Sequence, residues 1–333
     1  MEIKKTANKP EDENIDLALR PKAWEEYVGQ DKIKKNLRVI LDAAKKRGES
    51  CDHLLFYGQA GLGKTTLAYL IAKEMGANIK VTSGPTLEKT GDLVATLSNL
   101  EKGEVLFIDE VHRLNRQIEE VLYPALENRK LYLMVGKGPA ARTITLDLPA
   151  FTLVAATTRA NLLSGPLRSR FGASFKLDYY AYGDIEAIIA RSAALLGLEV
   201  DGEAITIIAK ASRFTPRIAN RLLRRVRDFA EVNDLKTVTS DAARATLEML
   251  EIDDLGLEPT DRQLLRIIID KFRGGPVGIQ TLAAAMSDDR GIIEDVYEPY
   301  LMNIGLLNRT PAGRLATPEA YRHLNYKTEE NLF

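Results

Sequence analysis

Apolar residues follow two rhythms along this chain, and the change near residue 182 divides it. Before that point, short continuous apolar runs alternate with segments of helical period. Val105 to Glu110 and Phe151 to Ala156 have the length and composition of parallel strands covered on both faces, His53 to Tyr57 reads as a buried strand, and Ile79 to Thr82 as a further strand. Between them, Lys32 to Lys46 carries Ile33, Leu37, Ile40 and Leu41 on one helical face, and Thr66 to Met75 carries Leu67, Leu70 and Ile71. The alternation predicts an α/β fold with a doubly wound parallel sheet, in which ligands sit at the carboxyl ends of strands. Lys130 to Val135 and Arg142 to Leu148 alternate with period two around Gly136-Lys-Gly-Pro139, a β-hairpin with Ile144, Leu146 and Leu148 on one face. That face either packs on its own domain or forms an apolar docking edge for a partner.

Beyond residue 182 the pattern is of helices only: Asp184 to Leu196, Asp201 to Ser212, Pro216 to Val232 and Ser240 to Leu250, read as a small helical lid. The stretch Ile252 to Glu258 reads as a linker. Thr260-Asp-Arg-Gln263 then reads as a capping box opening a helix from Asp261 to Phe272, followed by helices Ile279 to Met286 and Ile292 to Met302. Leu306 to Thr317 closes as a hairpin with Arg309 and Arg314 flanking its turn. Three short helices and a basic hairpin predict a winged-helix DNA-binding module. The expected domains are therefore 1–182 (with a disordered leader, 1–15), 183–254 and 255–333.

Composition adds exclusions. The 333 residues are 45% hydrophobic and 28% charged, which excludes a disordered or fibrous class, and a formal charge of −1 leaves any DNA contact to local basic surface. Cys51 is the single cysteine, so there is no internal disulfide. The leader lacks the apolar centre of a signal peptide, and no apolar run approaches the ~20 residues of a membrane helix. The expectation is a cytoplasmic protein.

The chemistry centres on Gly58-Gln-Ala-Gly61-Leu-Gly63-Lys64-Thr65, which fits the phosphate-loop pattern G-x-x-x-x-G-K-[ST]. Glycines let backbone N–H groups converge on phosphate oxygens; Lys64 brings a cation and Thr65 a hydroxyl for Mg²⁺. Asp109 and Glu110 leave a strand at adjacent positions and so point differently, one toward Mg²⁺ and one toward the attacking water. Arg168 and Arg170 lie between Gly165 and Gly172, where an arginine could reach a neighbouring subunit's nucleotide. Arg217 follows Pro216 at a helix start and is the arginine of the basic 213–227 stretch aimed at the nucleotide.

With these residues in view, the chain resembles the RuvB family of bacterial Holliday-junction branch-migration motors within the AAA+ ATPases. The likeness runs from about Leu19 to Leu324, through Thr82-Ser-Gly-Pro85, Phe107-Ile-Asp-Glu-Val-His-Arg-Leu114, Ala156-Thr-Thr-Arg159, Pro166-Leu-Arg-Ser-Arg-Phe-Gly172 and Thr215-Pro-Arg-Ile-Ala-Asn-Arg221. The resemblance implies ATP and Mg²⁺ as ligands. Lys64, Thr65 and the neighbouring Gly61, Gly63 and Thr66 would hold the phosphates, Thr65 and Asp109 the metal, and Glu110 would activate water. Thr158 falls on the γ-phosphate sensor, Arg217 on the second sensor and Arg170 on the finger supplied in trans. Leu19, Arg20 and Tyr180 fall around the adenine and ribose, Ile144 and Leu146 on the edge that docks RuvA, and Arg290, Arg309 and Arg314 on the DNA contacts of the wing. A homohexamer on duplex DNA at a Holliday junction is implied, with RuvC in the resolving complex.

Gln59 and Ala60 depart from the family's usual prolines, and Ala155 and Phe214 from glycines; if position 214 needs positive φ, the phenylalanine is strained. Ala312 replaces a wing arginine, which should weaken DNA binding. A clamp-loader-like AAA+ machine and a nucleotide-switched winged-helix DNA binder are the alternatives, separable by junction unwinding.

Overall fold

The computed structural model describes residues 17–135 and 142–326; the expected leader and the hairpin turn at 136–139 lie outside the described residues. The chain forms two compact units. One comprises residues up to Ala187 together with Thr215–Arg217, the other Ile188–Phe214 and Ile218 onward.

In the first unit, helix α1 (Asp31–Arg47) precedes β1 (Leu54–Tyr57), α2 (Lys64–Glu74), β2 (Ile79–Ser83), α3 (Thr90–Ser98), β3 (Val105–Asp109) and α4 (Arg116–Asn128). The hairpin β4 (Lys130–Val135) and β5 (Arg142–Asp147) follows, then β6 (Thr152–Thr157), the short α5 (Gly165–Arg168) and β7 (Ala173–Lys176). Five strands form one parallel sheet in the order β2-β3-β6-β1-β7. Every residue of β6 is buried, as are Leu54–Phe56 and Val105–Ile108, which is why these three strands read as continuous apolar runs. The edge strand β7, with burial limited to Phe175, has no such run and was not anticipated. On one side of the sheet Leu106, Ile108, Leu153 and Ala155 pack with Leu93, Ile118 and Leu122 of the flanking helices.

The adjacency β3-β6-β1 decides where the chemistry lies. Parallel strands share a direction, so their carboxyl ends emerge side by side, and those ends are the Gly58 loop, Asp109-Glu110 and Thr157-Thr158.

The second unit begins within α6 (Tyr182–Leu195) and includes β8 (Glu199–Val200), α7 (Gly202–Ala211), most of α8 (Pro216–Val232), β9 (Thr237–Val238) and α9 (Ser240–Met249). Glu199–Val200 pairs with Thr237–Val238 in a parallel two-stranded ladder, so this region is not of helices only. Next come α10 (Pro259–Phe272) and α11 (Ile279–Met286). A broken helix follows, as α12 (Arg290–Ile292), a π-helical turn at Ile293–Tyr297 and α13 (Glu298–Asn303). The antiparallel hairpin β10 (Leu307–Thr310) and β11 (Gly313–Ala316) and a last helix, α14 (Pro318–His323), complete it. Leu264, Leu265, Ile268, Leu282, Ile293 and Leu301 form their common core.

Helix α10 opens differently from the expected capping box. Asp261 accepts from the Glu258 backbone N–H at 2.8 Å and Pro259 takes the first helical position, so the capping box is Glu258–Asp261, two residues earlier than Thr260–Gln263. Asp261 also accepts from Arg213, both side chains being buried. Arg213 donates to the Gly256 carbonyl at 2.7 Å and lies 5.1 Å from the Tyr300 ring centroid. It and Phe214 both have left-handed backbones, with φ of 53° and 55°. The strain expected at Phe214 is therefore present, at about 1–2 kcal/mol for a non-glycine residue, and is offset by packing its ring on Tyr300 with centroids 6.2 Å apart.

Candidate nucleotide site and partner surfaces

Gly58, Gly61 and Gly63 all have positive φ, which aims successive N–H groups of the loop into one concavity. Space is as restrictive as conformation: a Cβ on Gly63 would lie 2.8 Å from the Tyr27 hydroxyl, and one on Gly58 2.5 Å from the Leu177 carbonyl. Lys64, Thr65 and Thr66 form the first turn of α2, so its N-terminus faces the loop. The Lys64 ammonium is buried, donating to the Gly58 and Gln59 carbonyls at 2.8 and 2.7 Å. Burial pulls its pKa down to about 8, opposed by the nearby negative charge of Asp109. A cradle of N–H groups around a partly desolvated cation suits a polyphosphate. Thr65 and Asp109 are hard oxygen donors of the kind Mg²⁺ takes.

Asp109 caps its own strand end, accepting from the Glu110 N–H at 2.9 Å. Glu110 has a left-handed backbone, φ 48°, which turns its side chain away from Asp109; its carboxylate lies 3.3 Å from Arg113. Thr158 follows β6, half-buried, next to Thr157, whose hydroxyl is 2.9 Å from His112 Nδ1. Arg217 is exposed, and its Cβ would touch a Cβ placed on Gly61 at 3.0 Å, so its stem lies against the loop.

Leu19 is buried and Arg20 stacks over Tyr69 with its guanidinium 4.5 Å from the ring centroid. Tyr180 donates to the Leu62 carbonyl at 3.1 Å, its hydroxyl 3.2 Å from that of Tyr27. Burial pushes Tyr180 up to about 12 and Tyr27 well above its ordinary value, so both stay neutral. Tyr27 was missed in the sequence, where a lone tyrosine ahead of α1 carries no signal; the placement of its hydroxyl against Gly63 and 3.5 Å from the Leu62 carbonyl assigns it to the loop.

Family models cover almost all of this chain: the Holliday junction DNA helicase RuvB P-loop domain over residues 19–177, the RuvB AAA lid domain over 180–253 and the RuvB C-terminal winged helix domain over 254–325. The solved Thermotoga maritima RuvB Holliday junction branch migration motor is 49% identical, with TM-score 0.86 over 93% of this chain and 99% of that one. Its A156S and R170A variants match over the same spans at TM-scores of 0.87 and 0.86. The chain belongs to the RuvB family.

Among the residues that the RuvB likeness points to for partners, Ile144 and Leu146 are 51% and 37% exposed. Register pairs them with Leu133 and Leu131, which pack toward the core, while Tyr132 and Met134 stand on the other face at 50% and 76% exposure. The hairpin thus offers apolar side chains on both faces, and Tyr132 and Met134 join the candidate docking edge.

In the winged segment Arg290, Arg309 and Arg314 converge on two carboxylates. Arg290 pairs with Glu294 at 3.2 Å, and Arg309 lies 3.8 Å from Glu294 and 3.9 Å from Glu298, both arginines being about half exposed. Arg314 differs. Its side chain is only 8% exposed and grips Glu298, itself 2% exposed, through Nε at 2.6 Å and Nη2 at 3.1 Å. Arg314 thus holds the wing together through a buried carboxylate, whereas Arg290 and Arg309 stand more in the open.

At the candidate finger, Arg170 Nη2 meets Glu127 at 2.9 Å, Nη1 donates to the Pro166 carbonyl at 2.6 Å, and the guanidinium stacks 4.4 Å from the Tyr123 ring centroid. Arg168 turns back to the Ala160 carbonyl at 2.6 Å.

Proposed function

We propose that this chain is an ATP-driven DNA motor that moves Holliday junctions, acting as a hexameric ring on duplex DNA. It would be brought to the junction by RuvA docked on the β4–β5 hairpin, and would be joined by RuvC in the resolving complex. The supporting observation is the gathering of Lys64, Asp109, Glu110 and Thr158 at the carboxyl ends of three neighbouring strands, in a chain of the RuvB family. Lys64 and the loop N–H groups bind the β/γ-phosphates; Leu19, Arg20 and Tyr180 border the adenine and ribose. Thr65 and Asp109 would hold Mg²⁺, which when bound neutralises phosphate charge. Glu110 accepts the proton of the attacking water, Thr158 and Arg217 respond to the terminal phosphate, and Arg170 acts on the nucleotide of the adjacent subunit. Arg290 and Arg309 bind DNA phosphates without reading bases, as suits a motor that must cross any sequence.

The test is ATP-dependent strand displacement from a labelled four-way junction with a RuvA partner added. The parent chain displaces strands; Glu110→Gln binds nucleotide but neither hydrolyses it nor moves the junction, because an amide cannot take the proton. Hydrolysis at the parent rate by that variant would overturn the role of Glu110. Hydrolysis without displacement would favour a clamp-loader-like machine, and nucleotide binding without turnover in the parent a DNA-binding switch.

A further inference from the structure

We infer that Glu119, Tyr123 and Glu127, one face of α4, form the seat that positions Arg170. The inference rests on the reading of Arg170 as a finger supplied in trans. The three residues are spaced four apart in a helix running Arg116–Asn128, so they stack along one side. At the N-terminal end of the stripe, buried Glu119 accepts from the Tyr123 hydroxyl at 2.8 Å and from Ser164 Oγ at 2.6 Å. Ser164 is also the cap of α5, accepting from the Leu167 N–H at 3.2 Å. Glu119 thus ties the Tyr123 ring to the start of the segment that carries Arg170.

Tyr123 then presents its ring face to the guanidinium at 4.4 Å, and Glu127 takes Nη2 at 2.9 Å. The Arg170 side chain is only 18% exposed, and its Nε–H is buried without a partner among the described residues. So long a side chain on a loop would sample many rotamers. Stacking, one carboxylate and the Pro166 carbonyl reduce them to one, so less order must be created when the neighbour's nucleotide arrives. Glu127 is half exposed, and a water-screened pair of this kind contributes little to folding, which leaves orientation as its main effect. Glu119, Tyr123 and Glu127 are positioning residues that act through Arg170.

The experiment uses the full chain on junction DNA, with kcat and KM for ATP measured for Glu127→Gln, Tyr123→Leu and Tyr123→Phe. A misaligned finger lowers kcat by about tenfold in Glu127→Gln and Tyr123→Leu with little change in KM, and Tyr123→Phe, which keeps the ring, shows a smaller deficit than Tyr123→Leu. The decisive readout is dilution with Lys64→Ala subunits, which lack a working loop but carry an intact finger. As Glu127→Gln and parent are each diluted, the deficit of the variant relative to the parent closes, because its loops now meet intact fingers. A deficit that persists on dilution means Glu127 acts within its own subunit and overturns the seat; so does activity equal to or above the parent, which would make the contact dispensable or a latch. Arg170→Ala is diluted in parallel. If its own deficit fails to close in rings shown to be mixed, the trans reading of Arg170 fails, separately from the seat.

Discussion

Gly84 is the position where one methyl group should separate ATP binding from ATP hydrolysis. It lies buried in Thr82-Ser-Gly-Pro85, beside the carboxyl end of β3, and its φ is not left-handed, so the demand for glycine there is one of space. A Cβ at residue 84 would stand 2.4 Å from the Glu110 carbonyl oxygen and 3.2 Å from Arg113 Cβ. Real Cβ atoms almost never approach within 3.0 Å, so in Gly84→Ala the Glu110 peptide must retreat by at least about 0.6 Å. The same carbonyl accepts from the Arg113 N–H at 2.9 Å, so the retreat disturbs the turn that sets the left-handed backbone of Glu110. Overpacking of this kind costs about 1–3 kcal/mol, or roughly 2–12 °C in Tm for a unit this size. A 1 Å misplacement of a catalytic group costs on the order of 10²-fold, so kcat should fall about 10- to 100-fold. Lys64 binds carbonyls of its own loop and Asp109 keeps its strand, so ATP affinity should change by no more than about threefold. Steady-state hydrolysis and equilibrium nucleotide titration on the folded variant decide the matter. A kcat within twofold of the parent would refute the idea that Gly84 clears space for Glu110.

Other perturbations probe the loop, the wing and the buried pair. The protonated form of Lys64 is the one that binds phosphate, and bound phosphate raises its pKa above the free value of about 8; affinity should therefore be full below pH 8 and fall by up to tenfold per unit as pH rises through that value, and flat titrations from pH 7 to 9.5 would contradict it. Arg314→Ala leaves the buried Glu298 with only the long 3.9 Å contact of Arg309 among the described residues and should destabilise the winged segment by up to about 3–5 kcal/mol in denaturant unfolding, whereas a parent-like midpoint would deny the structural role. Arg309→Ala, by contrast, should lower the slope of log affinity against log salt by about 0.9 on two unrelated duplexes, with a slope unchanged on both, or a loss on one only, counting against phosphate contact. Asp261→Ala should cost about 3–5 kcal/mol by stranding Arg213, and Arg213→Met with Asp261→Leu should recover most of it; equal losses in both variants would show that the charge pair is not the cause.

The nucleotide loop, the acidic strand end, the threonine after β6 and the three-part order of the chain were all legible in the residues alone. Each depends on short-range rules: glycine spacing, continuous apolar runs for buried parallel strands, and helical or two-residue periods. The lid's small ladder escaped because Glu199–Val200 and Thr237–Val238 are too short to show a period, and β7 escaped because an edge strand buries little. Tertiary structure decided which of several similar side chains is free to act. Arg309 and Arg314 are cross-strand partners flanking one turn, yet Arg314 is buried against Glu298, 16 positions earlier in the chain, and Arg309 faces water. Gly84 looks like any turn glycine until Glu110, on another strand's end, is brought against it. Arg170 looks like a solvated loop arginine until Tyr123 and Glu127 of α4 are placed beneath it. Local sequence sets backbone direction and the type of side chain on offer. What neutralises, crowds or seats that side chain comes from residues far along the chain, whose proximity exists only once the sheet and helices have packed.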